Sequence, residues 1–246
     1  MNEPASQLQW RRRIGEGLAI VVSILLAFAI DALWDDRQER IEEQEVLAAL
    51  VADFQLNRAE VAEVIETHEF GRQRVAALAQ MTIDEVGALS NDEVVATVVE
   101  MANPRTFDPI RGTIDSLIGG GQLGIIRDRD LRKSLTSFIN LSVDAEEDAA
   151  YIIQWSVMIW EAEIRHGGPW RTGGELSDEE LFGKQGREIG DLSFLPRITA
   201  EHLSRIRGDS EFMGLILRNQ VNAAHYVSEI EAVRVKIDEI LFLLEA

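Results

Sequence analysis

Glu163 and His166 stand three residues apart, a spacing that turns a carboxylate and an imidazole to one helix face, as in carboxylate-bridged di-iron centres. Such a centre needs a second Glu-x-x-His and two further inward glutamates. None of His68, His202 and His225 has a glutamate three residues before it. The pair therefore reads as the polar end of a helix, where a histidine also complements the dipole. With no cysteine, a thiolate nucleophile is excluded, and neither a Gly-x-Ser-x-Gly elbow nor a His-Glu-x-x-His motif occurs. Gly119-Gly120-Gly121 lacks the Gly-Lys-Ser/Thr of a phosphate loop and reads as a helix stop with a sharp turn. The expectation is a protein that is not an enzyme, with no metal and no cofactor.

Two polar residues lie where apolar ones are expected. Leu47, Phe54, Val61, His68 and Val75 repeat by sevens, with Leu50, Asn57, Val64, Gly71 and Leu78 in the companion register. Asn57 and His68 thus form a possible polar seam on a packing stripe. Such residues can act as ligands or pH sensors, but more commonly they fix register through a hydrogen bond.

The elements that carry these residues are helical throughout, and nothing alternates like a strand for long. Ser90-Asn91-Asp92-Glu93 is a capping box opening a short helix that ends before Asn103-Pro104. A second short helix is expected from Ile110 to Ile118. Asp128 should cap a long helix with the stripe Leu131, Leu135, Phe138, Ala145, Ala149, Ile152 and Ile159. From Gly167 to about Pro196 the pattern is irregular, apart from one turn capped at Ser177, and Trp170 and Arg171 are its candidate contact residues. Final helices should begin near Thr199 and after Gly208-Asp209, the last carrying Ile216, Ala223, Ile230, Ile237 and Leu244 beside Met213, Val227 and Leu241. The fold class expected is all-α: an N-terminal transmembrane helix continuing into an antiparallel bundle of about three long helices plus short ones. Intermolecular coiled coils are an alternative use of the same stripes.

The transmembrane expectation rests on residues 14–34, with 1–13 as a short cytoplasmic tail and 35–246 as the extracytoplasmic domain. The uninterrupted apolar run Leu18–Ile30 is short of the ~20 residues that cross a bilayer. Trp10 and Trp34, however, bracket the stretch as interfacial anchors ~36 Å apart along a helix. Arg11, Arg12 and Arg13 precede it, against Arg37 and Arg40 after it, which favours a cytoplasmic N-terminus and a periplasmic C-terminal domain at a bacterial inner membrane. A cleaved signal peptide ending at Ala27-Phe28-Ala29 is the rival reading. Glu16 within the apolar region and the helical continuation past Ala29 count against it. Gly15, Ala19, Ser23, Ala27 and Asp31 recur every four residues, a ridge of small side chains that lets another helix approach closely. Asp31 ends that ridge, and its neighbours one turn away are Ala27, Phe28, Trp34 and Asp35, none of which neutralises it.

A formal charge of −19 should repel nucleic acid and anionic surfaces. Expected partners are membrane lipid and a neutral or basic protein, or a second copy, met through the transmembrane helix.

Two sequence blocks carry a resemblance. Gly15-Glu16, Asp31-x-x-Trp34-x-x-Arg37-x-x-Arg40 and Leu47-x-x-Leu50-x-x-Asp53-x-x-x-Asn57 form one; Leu117 through Gly121-Gln122-Leu123-Gly124-Ile125-Ile126 to Leu131-Arg132 and Leu135 forms the other. Together they resemble an uncharacterised family of bacterial single-span proteins. The resemblance implies a membrane-anchored helical domain and no catalytic residue. The expected role is a noncatalytic accessory or scaffold protein. The alternative is a periplasmic ligand-sensing domain that works with a separate output partner.

Overall fold

The computed structural model describes residues 4–165 and 199–245, with the side chains of residues 4–17, 19, 20, 91, 92 and 95 outside that description. The irregular stretch from Gly167 to Pro196, with Trp170, Arg171 and the turn at Ser177, lies outside the described residues, as does His166. The chain is all-α. Its helices are α1 (Pro4–Gln80), α2 (Ile83–Gly87), α3 (Asn91–Met101), α4 (Gly112–Gly119), α5 (Arg129–Arg165), α6 (Ala200–Gly208) and α7 (Ser210–Glu245), with a 3₁₀ turn at Leu123–Ile125. Two compact units divide it: residues 1–51 with 112–129, and residues 52–111 with 130–246.

The second unit is built on the stripes. Along α1 the buried positions are Phe54, Asn57, Val61, Val64, His68, Gly71, Val75 and Leu78, a strict alternation of three- and four-residue steps. On α5 they include Leu131, Leu135, Phe138, Ala145, Ala149, Ile152 and Ile159, and on α7 Ile216, Ala223, Ile230 and Ile237. Each large aliphatic or aromatic side chain so covered contributes about 1.5–3 kcal/mol. The Phe54 and Phe138 rings meet edge-on at 4.9 Å.

The direction of the helices departs from the expected antiparallel arrangement in one respect. Phe54 meets Phe138, and Val75 shares a core cluster with Ile159, so α1 and α5 run parallel. Helix α7 opposes both, since Arg58 pairs with Asp238 while His68 meets Tyr226, and Ser134 donates to Glu239 while Asp148 lies beside His225. The reason is the connection. After α3 the chain does not turn directly into the next long helix; residues 102–111 are a non-helical strap that returns along α1 from the level of His68 to that of Asn57.

The far end of this bundle is closed by short helices. Ser90 and Thr82 each make a reciprocal capping box, with Glu93 and Glu85 respectively. Val86, Val94, Val98, Leu203, Ile206 and Phe212 join Val75 and Leu78 in one apolar cluster. Gly71 lets α3 approach α1: a Cβ there would lie 3.1 Å from the Glu100 carbonyl oxygen. Arg207 of α6 caps the C-terminus of α1, its guanidinium donating to the carbonyls of Leu78 (3.0 Å), Ala79 (2.9 Å) and Met81 (3.1 Å). Helix ends leave such carbonyls without intrahelical donors, and a cation there also opposes the dipole.

Among the described residues of the first unit the buried side chains are Leu50, Ile114, Leu117 and Ile126. The glycine triplet ends α4 as a Schellman motif: Gln122 N–H donates to Leu117 O at 2.7 Å and Gly121 N–H to Ile118 O at 3.1 Å, with Gly121 at φ 66°. Arg127 then reaches three carboxylates spaced along α1. Its guanidinium lies 2.9 Å from Asp36, 3.5 Å from Glu39 and 3.6 Å from Glu43, and its backbone N–H donates to Glu43 at 2.6 Å.

Candidate functional site

Two features carry functional weight, one in each unit. The first is the apolar segment of α1. Leu18, Val21, Val22, Ile24, Leu25, Leu26, Phe28, Ile30, Leu33 and Trp34 are all between 50 and 72 % exposed. They leave the helix in every direction, because a run this dense covers all of its faces. Ser23, Ala27 and Asp31 of the small-residue ridge are exposed in the same segment. Gly15, Ala19 and the anchor Trp10 lie where side chains are outside the described residues. Among the described residues, no helix is long and apolar enough to cross a membrane.

The second feature is the polar clamp on the strap. Fully buried Asn57 donates through Nδ2 to Ile110 O at 2.9 Å and accepts from Ile110 N–H at 2.7 Å, so one amide satisfies both polar groups of one residue. His68 contacts the Arg105 carbonyl through Nε2 at 2.7 Å, which assigns the proton to Nε2 in the neutral ring. Burial lowers the His68 pKa from its ordinary value and favours that neutral form, outweighing the hydrogen bond to the Arg105 carbonyl, which raises it, while the Arg105 charge adds a smaller lowering. Its ring stands edge-on to Tyr226 with centroids 5.5 Å apart. Tyr226 accepts in turn from Phe107 N–H at 2.7 Å, and Asn219 makes a longer contact to Met101 O at 3.4 Å.

Around the clamp lie acids that burial pushes the same way. Burial raises Glu100 and Glu60, although Arg105 lies beside Glu60 at 3.6 Å and Asn103 donates to Glu100 at 3.1 Å. Desolvation pushes the Tyr226 phenol up to about 12. A cavity of about 10 Å³ lies between His68, Gly71, Glu100, Asn103 and Asn219. That is room for one water, and the buried Asn219 Oδ1, which has no hydrogen-bond partner among the described residues, is a polar atom such a water would meet. The arrangement can hold a strap in register; a substrate does not fit into it.

The structure therefore brings Asn57 and His68 together with one backbone segment; the anchor residues belong to the other unit. The sequence reading missed Asn219 and Tyr226, although both sit on the α7 stripe between Ile216, Ala223 and Ile230. The polar-on-stripe signal that singled out Asn57 and His68 applies to them equally. Glu163 lies in the last turn of α5, at the polar helix end expected of it, and is buried there against His202, with 3.5 Å between its carboxylate and Nε2.

No family model, curated protein or solved structure matches the chain.

Proposed function

We propose that this protein is a noncatalytic, membrane-anchored accessory or scaffold protein. It is held at a bacterial inner membrane by residues 14–34, with its N-terminus cytoplasmic and its helical domain in the periplasm. The observation that carries this reading is the apolar surface of α1 from Leu18 to Trp34, exposed on all sides. In water such a surface is costly and prone to associate, whereas lipid or another apolar helix covers it favourably. The small-residue ridge ending at Asp31 supports a helix partner over lipid alone, because a carboxylate at the edge of the hydrocarbon gains from a donor on another chain. The clamp fits a scaffold too, since its polar groups are spent on fixing one connection. The space beside His68 holds one water, too little for a sensor's ligand, and the roomier groove of about 400 Å³ beside Phe70 and Arg234 is open to solvent.

Alkaline extraction of membranes provides the first test, with the protein expected in the pellet; complete release into the supernatant would overturn the anchor. The chain has no cysteine, so Val221→Cys gives a single label site on an exposed face. Labelling by an impermeant maleimide from the periplasmic side is expected. Crosslinking in native membranes, gentle detergent extraction and mass spectrometry should then recover a stoichiometric partner that Asp31→Ala loses. Recovery of the protein alone from both would remove the accessory role.

A further inference from the structure

On the exposed side of the bundle, away from the residues already assigned, α5 and α7 bring three metal-ligating side chains together. Asp148 of α5 lies 3.0 Å, Oδ2 to Nδ1, from His225 of α7, although the two are 77 positions apart in the chain. Glu229 follows His225 by one helical turn on the same face. One ligand atom from each of the three lies within 4.8 Å of the other two. We propose that Asp148, His225 and Glu229 form a surface site for a divalent transition-metal ion of the zinc type.

Geometry supports this first. Metal bonds of ~2.0–2.2 Å to nitrogen and oxygen put the ligand atoms of a tetrahedron ~3.3–3.5 Å apart. The Asp148–His225 pair, hydrogen-bonded at 3.0 Å, is a few tenths of an ångström short of such an edge, and with Glu229 within 4.8 Å small side-chain rotations complete a face. Water fills the fourth position, on the side where His225 is open to solvent.

Charge supports it second. Two carboxylates converge here with one imidazole, and among the described residues neither meets a lysine or arginine; Asp148 has only His225, and Glu229 has no ion pair. Elsewhere on the surface, acids commonly stand beside a cation, as Glu231 does with Arg234 and Glu239 with Lys236. A divalent ion balances the excess that this trio leaves. The imidazole sets the metal class, because nitrogen ligands favour zinc and its neighbours over magnesium or calcium, which prefer oxygen alone. Bound there, the ion ties α5 to α7 across the antiparallel pair.

The full chain in detergent, stripped with chelator and exchanged into chelator-free buffer, is titrated with Zn²⁺ by calorimetry, and its melting temperature is followed in parallel. One saturable binding event and a raised melting temperature are expected. His225→Ala should weaken binding at least tenfold while melting like the unsubstituted protein in the absence of metal, because this side chain is exposed. Glu229→Gln should weaken binding comparably. Co²⁺ gives a second readout, a visible absorption band present in the unsubstituted protein and absent in His225→Ala. Binding that is unchanged in His225→Ala, or Mg²⁺ binding as tightly as Zn²⁺, would mean that the acidic surface merely collects cations. Either result, or no saturable binding, overturns the proposal.

Discussion

The Asn57 side chain holds both backbone polar groups of Ile110, at 2.9 and 2.7 Å, across 53 positions of sequence. This is the point where the strap rejoins α1 and where the direction of the next long helix is set. Truncation to Asn57→Ala leaves an N–H and a C=O without their partner, a loss of about 2–4 kcal/mol for two part-buried hydrogen bonds. Urea unfolding should show the midpoint falling accordingly. Asn57→Asp should not recover the loss, since it sets a buried carboxylate oxygen against the Ile110 carbonyl where Nδ2 had donated.

Stability should depend on pH between about 4.5 and 6.5 through two groups of opposite sign. The His68 pKa is lowered in the fold, so its contribution is complete above ~6.5 and is lost as acid protonates the unfolded chain first, by up to about 1.4 kcal/mol per pH unit. The Glu100 pKa is raised, so its contribution is complete below ~4.5 and is lost as pH rises. Glu60 shares that sign, and Arg105 and Tyr226 are the other titratable groups facing His68. Unfolding measured across this range should show His68→Gln flattening the acid-side decline. Glu100→Gln should stabilise the protein at pH 7 and have little effect at pH 4.

At the alkaline end Tyr226 dominates. Its phenol is pushed up to about 12, so above pH 10 the unfolded chain ionises first and stability falls until the folded group ionises as well. Tyr226→Phe should abolish that component. At neutral pH the same substitution removes the acceptor for Phe107 N–H and costs about 1–3 kcal/mol, readable from the thermal midpoint.

Arg207 reaches three carbonyls at the end of α1 with one planar guanidinium. Arg207→Ala should cost about 2 kcal/mol or more, given charge-assisted bonds of roughly 1.5–3 kcal/mol. Arg207→Lys should not restore the loss, because a point ammonium cannot fork across three oxygens. Amide exchange in α6 and in the last turns of α1 would report the change locally.

Secondary structure and burial were legible in the sequence because both are local properties. The capping box at Ser90, the helix start after Thr199 and the three stripes all follow from side chains within a turn or two of one another. The Gly119–Gly121 stop was legible for the same reason, since Gly121 adopts a left-handed conformation that favours glycine. Periodicity identifies which face of a helix is buried but not what lies against it. For that reason only the tertiary structure decided that α1 and α5 run parallel, and that Asn57 and His68 grip backbone carbonyls, which carry no signature in sequence. The same holds for His225, which meets Asp148 only because α5 and α7 pack in opposite directions at one register. That juxtaposition arises from the summed packing of whole stripes, and no short window of residues contains it.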